Sequence, residues 1–168
     1  MSRRTIVWLI PVLLTLHNTE EALAFRAYLP RVRAILPEPF ATLEASLPYS
    51  ALVVALAALS IVAFLIALAA AARPRSAGSI WVLLALEAAV GVNVLAHLAS
   101  AAFVFHGYGP GLVTAVAINA PFAVYCFRHA RAERWVSPAA LAATVPAALF
   151  LHGPVLLGAL WLAGRASR

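Results

Sequence analysis

Five apolar stretches, each about as long as a lipid bilayer is thick, constrain the fold of this chain more than any other feature. They run over about residues 5–28, 49–72, 79–105, 110–128 and 138–163. A membrane-spanning helix needs roughly 20 apolar residues, with about 17–25 as the usual range. Hydrophobic residues make up 64% of the chain and charged residues 11%, whereas soluble domains carry roughly 25% charged residues. We therefore predict an all-α integral membrane bundle of about five transmembrane helices, formed as a single domain over residues 1–168.

The boundaries of these stretches carry helix and turn signals. Ser137 and Pro138 open the fifth stretch as an N-cap residue followed by a proline at the first helical position. A turn rich in glycine and proline over residues 107–111 separates the third stretch from the fourth. Residues 29–48 form the long loop of the chain, in which we expect a short interfacial helix over about residues 40–47.

All twelve basic residues are arginines, and the formal net charge is +6. A basic balance can indicate nucleic-acid binding, but these arginines lie in small groups between the apolar stretches, as topology signals do. With the N-terminus in the cytoplasm, seven arginines lie on the cytoplasmic side and five on the other, which favours this orientation. We predict no nucleic-acid partner. The lipid bilayer is the expected partner, and the expected location is the bacterial inner (plasma) membrane with a cytoplasmic N-terminus.

A polar run interrupts the first apolar stretch. It reads His-Asn-Thr-Glu-Glu over residues 17–21 and contains two of the six acidic residues of the chain. His17, Glu20 and Glu21 are i, i+3 and i+4, so their side chains project from one face of a helix. Ionisable residues inside a membrane are energetically costly and usually mark a functional site.

Further polar residues lie at a similar depth on other helices. At about 1.5 Å of rise per residue, the polar run, Asn93, His97 and His152 lie about 18–27 Å from the cytoplasmic ends of their helices. Asn93 and His97 are i, i+4 and share one face of the third helix. We therefore expect a buried His/Glu/Asn site that is built from side chains on facing helices.

The polar run also resembles a known motif. The pattern H-x-x-E-E at residues 17–21 is similar to the motif that names the HXXEE family, which comprises small integral membrane proteins of unknown function. The pair Asn93 and His97, and the Pro-Gly-x-x-Thr stretch at residues 110–114, are also similar to sequences of that family. The resemblance extends over most of the chain in size and hydrophobic layout. It implies functional roles for the motif histidine and glutamates, but it implies no reaction.

Histidine nitrogen and carboxylate oxygen are ligands for zinc and iron. One zinc or iron ion could be held by His17 and His97 together with Glu20 or Glu21, and His152 is a further candidate ligand. A catalytic zinc site keeps a position for water, whose pKa the metal lowers to about 7.

Three classes of function would use such a site. The leading interpretation is an intramembrane enzyme, metal-dependent or acid–base, that hydrolyses, isomerises or cyclises a small lipophilic substrate. Glu20, Glu21 and Asn93 are then the candidate catalytic residues. The first alternative is a proton or metal-ion transporter that uses the same polar groups. The second alternative is a membrane scaffold whose polar residues hold helices together. The sequence leaves the oligomeric state open.

Overall fold

Five helices follow one another over the part of the chain that the structure describes. The computed structural model describes residues 1–35 and 48–166, and it contains helices and turns but no strand over these residues. Helix α1 runs over Arg3–Ile35, α2 over Tyr49–Ala72, and α3 over Ala77–Ala99 with a π-helical continuation, Ser100–Phe105. Helix α4 comprises Leu112–Thr114, a π-helical segment Ala115–Asn119, and Ala120–Ala132. Helix α5 comprises Pro138–Ala142, Thr144–Phe150, a π-helical segment Leu151–Val155, and Leu156–Ala166.

Over the described residues, the all-α class and the number of helices agree with the prediction from the sequence. The predicted N-cap of α5 is also confirmed, because Ser137 Oγ accepts the N–H of Ala140 at 3.2 Å. By length and composition, α2, α3 and α5 are apolar enough to cross a membrane. Helix α1 is not in that set; it carries the polar run and several arginines.

Helix α1 is longer than the sequence predicted. Pro30 indicated a loop from residue 29, yet the helix continues to Ile35. Contacts with the end of α3 hold this extension, since Arg31 Nη2 donates to the carbonyl oxygen of Phe105 at 2.5 Å. The ring of Tyr28 also packs edge-on against that of Phe105, with centroids 5.5 Å apart. Proline removes one helical hydrogen bond, and these tertiary contacts outweigh that loss. The predicted interfacial helix at residues 40–47 lies outside the described residues.

Two of the π-helical segments adjoin a proline. Pro121 follows Ala115–Asn119, and Pro154 lies within Leu151–Val155. Proline has no N–H to donate to the carbonyl four residues earlier, so the neighbouring hydrogen bonds shift to a wider spacing. The N–H of Ala120, for example, bonds to the carbonyl five residues before it. Such π-bulges are frequent at functional sites.

The apolar core and the polar run lie towards opposite ends of the bundle. The core joins the first turns of α1 and α3 to the last turns of α2 and α4, through residues such as Ile6, Ala70, Leu83 and Ala130. The polar run lies further along α1, beside the late part of α3 and the start of α4. The site is therefore formed where α1, α3 and α4 meet, away from the well-packed core.

Candidate functional site

His17 is the central residue of the polar cluster. Its side chain is fully buried, and both ring nitrogens contact polar side chains on other helices. Nδ1 lies 2.9 Å from Thr114 Oγ1 at the start of α4, and Nε2 lies 2.7 Å from Asn93 Nδ2 on α3. Thr114 donates its hydroxyl proton to Glu20, so Nδ1 of His17 is the nitrogen that carries the proton. Nε2 therefore presents its lone pair towards Asn93.

Glu20 connects α1 to the N-terminus of α4 through hydrogen bonds. Its carboxylate accepts the N–H groups of Val113 at 3.2 Å and Thr114 at 2.7 Å, and it also accepts the hydroxyls of Thr114 and Tyr108. The first N–H groups of a helix have no partner within the helix and favour a negative charge. Burial, followed by the hydrogen bond to Glu20, raises the pKa of Tyr108 to about 12, so the phenol keeps the proton that it donates. Glu20 thus orients Thr114 towards His17.

Glu21 and His97 form a group of three potential metal ligands with His17. One ligand atom from each residue lies within 4.8 Å of the others. Glu21 Oε2 is 3.7 Å from His17 Nε2, and the rings of His17 and His97 meet edge to face. Over the described part of the chain, His97 Nε2 is buried without a hydrogen-bond partner. Glu21 and His97 are therefore free to bind a ligand, whereas Glu20 is already fully engaged.

Gly111 allows the two imidazoles to approach each other at the start of α4. A Cβ atom at this position would lie 2.8 Å from Cε1 of His17 and 2.8 Å from Cε1 of His97. The φ angle of Gly111 is +79°, a left-handed conformation that glycine adopts at little cost. Both the space and the backbone conformation thus require glycine here.

The remaining predicted site residues lie at different distances from this group. Asn93 joins the cluster through its contact with Nε2 of His17. Glu20 and His152 are not members of the three-residue group, which is drawn from the described residues. His152 is half-buried on the π-helical segment of α5, within electrostatic range of His97.

Asn18, the second residue of the motif, faces α2 instead. Its Nδ2 donates to the carbonyl oxygen of Leu56 at 3.1 Å and to Ser60 Oγ at 3.0 Å. Asn18 and Ser60 are both buried. The motif thus has a second function, which is to fix α1 against α2 next to the site.

A family model described as "Protein of unknown function with HXXEE motif" matches residues 8–126. The chain belongs to the HXXEE family. No curated protein and no solved structure matches it. The matched residues of this HXXEE protein include the whole cluster around His17 and end before α5. His152 therefore lies outside the region that defines the family.

The sequence of this HXXEE protein identified the motif residues and Asn93, and it marked residues 110–114 as similar to the family, but it assigned no role to Tyr108, Gly111 or Thr114. The role of Tyr108 as a donor to Glu20 has no local signal, because it depends on a loop that folds back onto α1. For Gly111 and Thr114 a signal exists. A Pro-Gly turn that opens a helix, followed by threonine, places backbone N–H groups and a hydroxyl at a helix N-terminus.

Proposed function

We propose that this protein is a metal-dependent intramembrane enzyme in which His17, Glu21 and His97 hold one zinc or iron ion. One observation carries the proposal. Potential ligand atoms of these residues lie within 4.8 Å of one another, and His97 Nε2 has no hydrogen-bond partner among the described residues. Buried polar groups ordinarily have a partner. A buried nitrogen without one, beside a carboxylate and a second imidazole, favours a bound cation.

The donor set suits these metals. Two ligands of a tetrahedral zinc ion, each about 2.0–2.2 Å from the metal, are about 3.3–3.6 Å apart. The three atoms now lie within 4.8 Å of one another, so the widest separation would need to shorten by roughly an ångström or slightly more. Three protein ligands leave a fourth position for water or substrate. A catalytic zinc ion lowers the pKa of such a water to about 7.

The residues around the three ligands have positioning roles in this proposal. His17 donates from Nδ1 to Thr114, and Thr114 donates to Glu20. Contacts of this kind fix the tautomer of a ligating histidine and orient its ring. Asn93 Nδ2 lies 2.7 Å from the same Nε2 nitrogen that a metal would use. A metal held by Nε2 would take the place of this hydrogen bond, and the amide of Asn93 would then be available to a substrate or a water molecule.

The helix surfaces support a location in the membrane. Large apolar side chains are exposed along the helices, for example Ile61 at 61%, Leu95 at 65% and Phe103 at 79%. Soluble monomeric proteins rarely expose large contiguous apolar patches. We propose that α1 and α4 cross the membrane together with α2, α3 and α5, with the N-terminus in the cytoplasm of a bacterial cell. A substrate would then reach the site from the lipid, which favours a small lipophilic molecule.

The test is a search for conversion of a membrane-soluble compound. The wild-type protein and Glu21→Gln would be reconstituted into vesicles made from a bacterial lipid extract, with zinc or iron(II) added, and the compounds in the vesicles would be followed by mass spectrometry. We expect the wild type to convert a compound that Glu21→Gln leaves unchanged. Gly91→Ala serves as the control that keeps activity, because the added Cβ would meet nothing within 4 Å apart from its chain neighbours and the backbone of its own helix.

The same vesicles distinguish the other two functions. If protons or zinc cross the vesicle membrane only when the wild-type protein is present, and no compound is converted, the protein is a transporter and not an enzyme. If neither conversion of a compound nor flux is detected, the membrane scaffold is the function that remains.

A further inference from the structure

Two further buried polar side chains lie on α3 and α4, outside the cluster around His17. Glu87 on α3 and Asn119 on α4 are each 1% exposed. Glu87 Oε1 and Asn119 Nδ2 are buried without a hydrogen-bond partner in the described part of the chain. Buried polar groups without a protein partner are ordinarily bonded to internal water. Each of these two groups therefore indicates a position for an internal water molecule.

Measured along the helix axes, Glu87 and Asn119 lie on the same side of the His17 site and at similar distances from it. Asn93 and Thr114 contact the two nitrogens of His17 and so mark the level of that site on α3 and α4. Glu87 precedes Asn93 by six residues, or about 9 Å along α3. Asn119 follows Thr114 by five residues, or roughly 7 Å along α4. Because α3 and α4 are consecutive and antiparallel, both displacements point towards the apolar core.

The π-helical segment of α4 accounts for the inward position of Asn119. In an ideal α-helix, residues five apart project about 140° from each other, so Thr114 and Asn119 could not both face the interior. The wider i→i+5 turn of a π-helix brings such residues closer to one face. Thr114 is 8% exposed and Asn119 is 1% exposed. The segment Ala115–Asn119 thus adds a second inward-facing polar residue to α4.

We propose that Glu87 is a proton store, held as the neutral acid and connected to the His17 site by water that Asn119 binds. An ionised carboxylate buried without a counter-ion costs several kcal/mol. Glu87 forms no ion pair with the described residues, and the buried thiol of Cys126 on α4 is a titratable side chain near it. When Glu87 gives up its proton it becomes a carboxylate. The proton passes through water to a basic atom of a molecule bound at the His17 site, which becomes protonated, and it returns by the same route.

This inference goes beyond the proposed function and does not depend on a metal. A proton store would serve an enzyme that transfers protons, and it would equally serve a proton carrier, because carboxyl groups within membranes form proton relays. If no bound metal and no substrate conversion were found, the proposal for Glu87 would be unaffected. Its own failure would leave the metal site of His17, Glu21 and His97 intact.

The experiment is infrared spectroscopy of the full-length protein in detergent at neutral pH, where a protonated carboxyl group gives a carbonyl band that a carboxylate does not. We expect a band in the wild type that is lost in Glu87→Gln and shifted in frequency in Asn119→Leu, which removes the amide. Glu133→Gln, at an exposed residue near the end of α4, is the matched control and should leave the band unchanged. An unchanged band in Glu87→Gln would overturn the proposal.

Thermal unfolding of the same variants provides the second measurement. Glutamine has nearly the shape of a neutral glutamic acid, so Glu87→Gln should fold and unfold like the wild type. A Glu87→Gln protein that fails to fold would also overturn the proposal, because it would mean that the charged form of Glu87 holds the bundle together.

Discussion

The imidazole rings of His17 and His97 meet edge to face between α1 and α3, with their centroids 4.8 Å apart and their planes at 78°. The backbone of Gly111 lies against both rings at the start of α4. Three helices therefore set the separation of the two histidines. The histidine of the HXXEE motif thus has its partner outside the motif, and Glu21 lies close to both histidines.

Gly111→Ala should disrupt this arrangement. The methyl group would overlap both imidazoles, and alanine in a left-handed conformation costs roughly 1–2 kcal/mol by itself. We expect a lower unfolding temperature in detergent together with weaker zinc binding by calorimetry. Gly91→Ala is the matched control, because its Cβ would meet nothing within 4 Å apart from its chain neighbours and the backbone of its own helix. Equal zinc affinity for Gly111→Ala and the wild type would show that the spacing of the histidines is unimportant.

The two glutamates of the motif should differ in what they contribute. Glu20 accepts four hydrogen bonds that join α1 to α4. Bonds to a charged group contribute about 1.5–3 kcal/mol, so Glu20→Gln should lower the free energy of unfolding by about 1–2 kcal/mol and retain metal. Glu21→Gln should keep its stability and lose metal. Thermal unfolding and metal analysis of both variants check this, and similar effects from the two would contradict the division of roles.

Asn18→Leu should weaken the packing of α1 on α2 and leave the site intact. Its amide bonds to Leu56 and Ser60, and interhelical hydrogen bonds in membranes contribute about 0.6 kcal/mol on average and at most about 1.7 kcal/mol. We expect a loss of stability in that range with unchanged metal content. Ser60→Ala should add less to Asn18→Leu than it costs alone, because the two residues share one interaction. Loss of metal from Asn18→Leu would place this residue within the site.

His152→Ala should keep its metal. His152 lies on α5, outside the residues 8–126 that the family model matches, and it is not a member of the three-residue ligand group. Its removal should therefore alter metal content by less than removal of any of the three proposed ligands. Complete loss of metal would make His152 the fourth ligand, as the sequence alone had suggested.

The helices could be predicted because hydrophobic length is a local property of the sequence. Tyr49–Ala72 and the start of α5 at Pro138 agree with the predicted stretches. The end of α1 could not be predicted, because Pro30 is a local signal for a break, whereas Arg31 is held by Phe105 from a distant part of the chain. The site shows the same distinction. Helical spacing placed the motif residues on one face, but tertiary contacts decide which glutamate is bonded to the start of α4.

Metal content of the purified protein tests the central claim most directly. Protein in detergent would be loaded with zinc, freed of excess ion and measured by elemental analysis, for the wild type, Glu20→Gln, His17→Ala, His97→Ala and the double histidine variant. We predict one zinc ion per chain in the wild type and in Glu20→Gln, and almost none in either single histidine variant. The double variant should lose little more, since groups that act as a unit are strongly non-additive. A wild-type protein without bound metal, or full metal content in His17→Ala or His97→Ala, would contradict the proposed site.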